Sequence, residues 1–127
     1  MRFSMNIYRQ HDETELSEIY GMECKKILAI PGELRDVVHA LYMYVGSIWL
    51  RLFVDLESLF VDECDGPDPE DDLNENEEYV DYGYCLENID SNIDSATMKN
   101  GQFTIILRGK VIITLTETDG GTLIKIM

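Results

Sequence analysis

"VVHALYMYVGSIWLRLFVDLESLFV", Val37 to Val61, is the stretch whose reading decides the fold. It is the most apolar part of the chain, and its periodicity fits two structures. Counting from Glu33, apolar residues fall at Leu34, Val37, Val38, Leu41, Tyr44 and Val45, the three-and-four spacing of one helical face. Pro31 and Glu33 suit a helix start, by ring geometry and by the helix dipole. Gly46 suits its left-handed end. Beyond Gly46-Ser47 the pattern is double. Ile48, Leu52, Leu56 and Leu59 fit a helix, whereas Ile48, Leu50, Leu52 and Val54 alternate as in a strand. The reading favoured here is a helix, a Gly-Ser break and a second element. The apolar window Val37 to Leu50 is too short to span a bilayer as a helix and contains His39, so it reads as core.

Outward from this segment, strand signals surround it. "RFSMNIYR" alternates through Phe3, Met5 and Ile7, "KKILAI" runs to Pro31-Gly32, and "HDETELSEIYGMEC" reads as a short helix ending near Gly21 or a loop. The C-terminus holds three β-rich runs, roughly 102–108, 110–117 and 121–127. They are separated by the tight-turn residues Arg108-Gly109 and by Asp119-Gly120-Gly121. Together these signals predict a single α+β domain over 1–127. It would be a mostly antiparallel sheet with a C-terminal three-stranded meander and one or two packed helices. Between Ile48 and the meander, Tyr79, Tyr82, Leu86, Ile89 and Ile93 fit a helical face, and Val80, Tyr82, Tyr84 and Leu86 fit a strand.

Charge is the second feature of the chain. Its 127 residues carry a net charge of −15. Eleven carboxylates lie between Asp62 and Asp81, and no Lys or Arg occurs from Leu52 to Met98. Residues 62–78 read as an acidic loop or insert, because Pro67 and Pro69 break regular structure and low hydrophobicity with high charge favours disorder. Such a balance argues against direct nucleic-acid binding, which needs cationic contacts to phosphate, and against anionic membrane surfaces. It favours a cationic partner. Spread along a helix, these carboxylates would fall about every 3 Å, close to the charge spacing of one DNA strand.

Catalytic chemistry finds no support. Neither His11 nor His39 sits in a nucleophile motif, and no glycine-rich phosphate cradle occurs. Cys24, Cys64 and Cys85 form no close pair, so zinc is not expected. The EF-hand frame around Gly66 places Val61 where the first calcium ligand belongs. The reading is therefore no enzyme, no catalytic residue, no metal and no cofactor, with reduced thiols in a cytoplasmic protein.

What distinguishes the acidic region from padding is tyrosine, which offers large rigid contact area with a polar tip. The candidate partner-binding residues are Asp68, Glu70, Asp71, Asp72, Glu75, Glu77, Glu78, Tyr79, Asp81, Tyr82 and Tyr84, with core packing expected for at least one of the tyrosines. In size and charge the chain is similar to small acidic bacterial or phage inhibitors. Some of these occupy the nucleic-acid groove of a CRISPR nuclease or restriction enzyme, and others are immunity proteins that neutralise a basic toxin. The likeness is one of class alone, carried by no motif. The expected function is a non-enzymatic inhibitor that docks, as a nucleic-acid mimic, on the basic nucleic-acid-binding surface of a nuclease such as a CRISPR effector or restriction enzyme. One alternative is an immunity protein that neutralises a basic toxin, and another is a structural or accessory subunit, or a homo-oligomer, paired through the C-terminal edge "TLIKIM".

Overall fold

A computed structural model describes residues 8–67 and 79–127 of the chain. They form eleven strands: β1 (Tyr8–His11), β2 (Thr14–Glu15), β3 (Cys24–Pro31), β4 (Val37–Val45), β5 (Ile48–Asp55), β6 (Ser58–Cys64), β7 (Val80–Asp81), β8 (Ile93–Lys99), β9 (Gln102–Leu107), β10 (Ile112–Thr118) and β11 (Gly121–Ile126). The helical content among the described residues is two single 3-10 turns, Ser17–Ile19 and Gly83–Leu86.

The α+β expectation is therefore overturned: the fold is nearly all β, and Val37 to Val61 is three consecutive antiparallel strands. The physical reason lies in β4. Seven of the nine residues of VVHALYMYV are buried, including neighbours such as Leu41 and Tyr42, because the strand is covered on both faces. A strand covered on both sides loses its two-residue alternation and reads as a continuous apolar run, from which three-and-four spacing can be picked at will. Gly46 does hold a positive φ of 61°, but it opens a two-residue hairpin turn closed by Val45 and Ile48 rather than capping a helix. In β5 the strand half of the double pattern is the real one, with Ile48, Leu50, Leu52 and Val54 buried. The region after Tyr79 divides into the two-residue β7 and a 3-10 turn, so neither the helical face nor the strand alternation read there forms. The C-terminal meander is as read, with β9, β10 and β11 paired antiparallel. The first strand is described over Tyr8–His11; Phe3, Met5 and Ile7 lie outside the described residues.

Topologically the sheet is a nearly closed barrel with a side limb. Strands run β3, β4, β11, β10, β9, β8, each antiparallel to the next. The ring closes where the chain entering β3 meets the start of β8. There Gly21 N–H donates to the Ile93 carbonyl at 2.8 Å, Ile93 N–H to Met22 at 2.8 Å, and Cys24 N–H to Ser91 at 3.0 Å. The limb β5, β6, β1 departs from the same edge of β4 that β11 occupies. Residues 41–45 of β4 pair with β5, and Val37 and Val38 pair with β11. The fork needs backbones close together at Gly121, where a Cβ would lie 2.5 Å from the Val38 carbonyl oxygen. Only glycine fits there.

The main core fills the barrel and the inner face of the limb with Ile27, Leu41, Met43, Leu50, Leu52, Leu59, Met98, Phe103, Ile105 and Leu115, each at most 2 % exposed, and their neighbours. A second, smaller cluster covers the opposite face of β3 and β4: Ile30, Ala40 and Tyr42, joined by Leu28, Trp49, Phe53, Cys64 and Tyr79.

Candidate functional site

The loop from Gly32 to Asp36 joins β3 to β4. It is held by Gly32 N–H to the Val37 carbonyl (2.9 Å) and Val37 N–H to the Leu34 carbonyl (3.1 Å). Asp36 closes it with a φ of 61°, a left-handed conformation that aspartate tolerates better than most residues. Its backbone oxygen accepts the Ile124 N–H of β11 at 2.8 Å, and its Oδ1 accepts the Tyr82 hydroxyl at 3.1 Å. One residue thus ties three segments together: the β3–β4 loop, the end of β11, and the turn after β7.

Tyr82 is itself fixed. Its N–H donates to the Ile27 carbonyl at 2.9 Å, the residue is 4 % exposed, and its carbonyl accepts Cys85 N–H at 3.2 Å. Burial, and then the hydrogen bond to the Asp36 carboxylate, raise the Tyr82 phenol well above its ordinary pKa, so it remains a donor to Asp36 into alkaline solution. The neighbouring Arg35 guanidinium lies 3.9 Å from Asp36 Oδ2 and is 97 % exposed, so solvent screens that pair heavily.

Two clefts flank this tie. One, of about 380 Å³, is lined by the loop from Pro31 to Val38 with Val80, Tyr82 and Tyr84. The other, of about 290 Å³, lies between Asp36, Tyr82 and Tyr84 on one side and Ile124 to Met127 on the other. Among the described residues the large apolar side chains left exposed are Leu34, Leu56, Val80, Tyr84 and Met127, and all but Leu56 line these two clefts. Apolar surface gathered in one place, beside a tyrosine that is 63 % exposed, is the usual composition of a contact site. A cleft of about 450 Å³ at the fork, near His39 and Thr122, and two at the acidic turns around Glu57 and Asn100 gather no such group.

Set against the residues expected from sequence, the three tyrosines separate. Tyr84 is the exposed one. Tyr82 is core with a structural hydrogen bond. Tyr79 packs edge-on against Tyr42 of the second cluster, ring centroids 6.0 Å apart. Asp81 is exposed, and its carboxylate accepts the Gly83 N–H at 2.7 Å, shaping the turn that presents Tyr84. Asp68, Glu70, Asp71, Asp72, Glu75, Glu77 and Glu78 lie outside the described residues. The start of the expected acidic loop is strand: Asp62, Glu63 and Cys64 belong to β6, with Asp62 opposite Arg51.

Leu34, Asp36, Val80 and Ile126 were not among the expected site residues. The three-and-four spacing predicts Leu34 on the apolar face of a helix, whereas it lies in the loop between β3 and β4. The signal that could have found it is its setting, a large apolar side chain in "PGELRD", where Pro-Gly and Asp mark a turn.

Cys24 is buried and Cys64 and Cys85 are half-buried, all three as free thiols. No helix among the described residues is long and apolar enough to cross a membrane. Comparison with protein-family models, with curated proteins and with solved structures finds no match.

Proposed function

We propose that this chain is a non-enzymatic binding protein that antagonises a basic, nucleic-acid-binding partner, such as a nuclease or a toxin. The reading assigns two tasks to two features. The charge of −15 draws a cationic surface in and speeds encounter at low salt. The clefts around Tyr84 supply the short-range contact. The observation that carries the reading is the convergence of Leu34, Val80, Tyr84 and Met127 on those clefts. Such anchors are energetically dominant when they become desolvated in a complex. The compartment proposed is the cytoplasm, where three free thiols stay reduced.

Immobilised protein tests this against a bacterial lysate at low salt. Wild type should retain a basic protein that elutes as salt rises. Leu34→Ser and Tyr84→Ala should lose that same protein, and Leu56→Asn, at the remote exposed leucine, should keep it. Retention of the same species by all four chains would refute the proposed contact surface.

A further inference from the structure

The cleft of about 290 Å³ is lined on one side by the end of β11, Ile124 to Met127, and among the described residues no strand pairs with β11 there on the side away from β10. Ile112 and Met127 exchange both backbone bonds, at 3.0 and 2.8 Å. In an antiparallel ladder such pairs alternate. Lys125 and Leu123 therefore also point their backbone groups at β10, and Thr122, Ile124 and Ile126 point theirs to the other side. On that side β4 covers Thr122 and Leu123, and the Asp36 carbonyl takes the Ile124 N–H. Beyond that the strand has left its neighbour. The carbonyl of Ile124 and both backbone groups of Ile126 face the cleft, with no backbone partner across it among the described residues.

We propose that this edge receives an extended segment of a partner protein as an added β-strand, with apolar side chains on one of its faces set against the exposed Tyr84. The inference rests on the docking reading above and specifies its mode. Ile124 is 2 % exposed, so the main-chain bonds that supply affinity form at the half-buried Ile126, and contact with the exposed Tyr84 supplies selectivity. The occupant is a segment of a cationic protein rather than a second copy of this chain. Self-pairing about this edge would bring two bodies of −15 together, whereas a cationic partner is attracted by the net charge of the chain.

The probe is a capped eight-residue peptide of alternating Val and Thr with Lys at both ends, titrated into the isotope-labelled full chain. A second peptide carries N-methyl groups on the edge that would pair. Amide exchange is followed residue by residue. The expected result is at least tenfold slower exchange at Ile126 when the first peptide is saturating, and at least tenfold weaker binding of the methylated one. Binding that perturbs Tyr84 but leaves Ile126 exchange unchanged overturns strand addition and leaves the docking surface standing. Absence of binding up to millimolar peptide also overturns it. Ile126 protection together with lysate capture indifferent to Tyr84→Ala would uphold the edge and refute the docking reading.

Discussion

The hydroxyl of Thr122 accepts the backbone N–H of Val54 at 3.0 Å and donates to the Val54 carbonyl at 3.2 Å. A single side chain thereby replaces the strand that Val54 lacks, at the point where β5 and β11 diverge along one edge of β4. Thr122 is 2 % exposed, so both groups of Val54 would otherwise be orphaned away from water. Thr122→Val keeps the shape and removes both bonds. It should cost about 3 kcal/mol in chemical denaturation, since each buried unmet group costs about 1–3 kcal/mol. Thr122→Ser keeps the hydroxyl and should cost about 1 kcal/mol, the value of a buried methyl group.

The turn between β5 and β6 is strained. Leu56 and Glu57 have φ of 53° and 58°, and Asp55 and Ser58 close the pair. Two-residue turns with both φ positive favour Asn-Gly, and leucine in that conformation costs about 1–2 kcal/mol. Leu56 recovers little by packing, being 74 % exposed. The double change Leu56→Asn, Glu57→Gly should raise stability by about 1–2 kcal/mol, read as a higher melting temperature. No gain would show that the left-handed turn is not present in solution.

Alkaline pH should destabilise the fold in a defined window. Burial pushes the Cys24 thiol from 9.0 to about 12, so the folded chain keeps a proton that the unfolded chain releases. Its stabilising effect is whole below pH 9 and is lost progressively between pH 9 and about 12. The limiting slope is about 1.4 kcal/mol per pH unit for one group. Tyr20 and Tyr82, both raised chiefly by burial, act in the same direction at the upper end of that window. Cys24→Ala should lower stability at pH 7 and flatten the fall above pH 9, followed by urea midpoints across pH. An unchanged slope would refute the assignment to Cys24.

Tyr82 and Tyr84, two residues apart, should behave oppositely. Tyr82→Phe removes the bond to Asp36 and should cost about 1 kcal/mol, because the carboxylate is half-exposed and regains water. Tyr84→Ala removes an exposed ring and should change stability by less than about 0.5 kcal/mol. A Tyr84 variant that unfolds would make the residue structural and remove it from the contact surface.

What the sequence disclosed follows from how many faces each strand buries. The meander of β9 to β11 is legible because β9 and β11 alternate buried with less buried positions, β10 is rich in β-branched residues, and the turns carry Gly. β4 is illegible because cover on both faces erases alternation, and that one segment turned an all-β barrel into an α+β expectation. At the candidate site, composition pointed to the tyrosines but could not separate the exposed Tyr84 from the buried Tyr82. That difference is made by Asp36, forty-six residues away in the chain. Leu34 and Ile126 became part of the site only when the loop and the end of β11 came together, a relation with no local signal.

The central claim is a division of labour between charge and the Tyr84 clefts, and the kinetics of the captured partner test it most directly. Association and dissociation rates should be measured for wild type and Tyr84→Ala at two salt concentrations. Higher salt should slow association of both chains, and Tyr84→Ala should speed dissociation at least tenfold with little change in association. A Tyr84→Ala chain that dissociates at the wild-type rate would contradict the account.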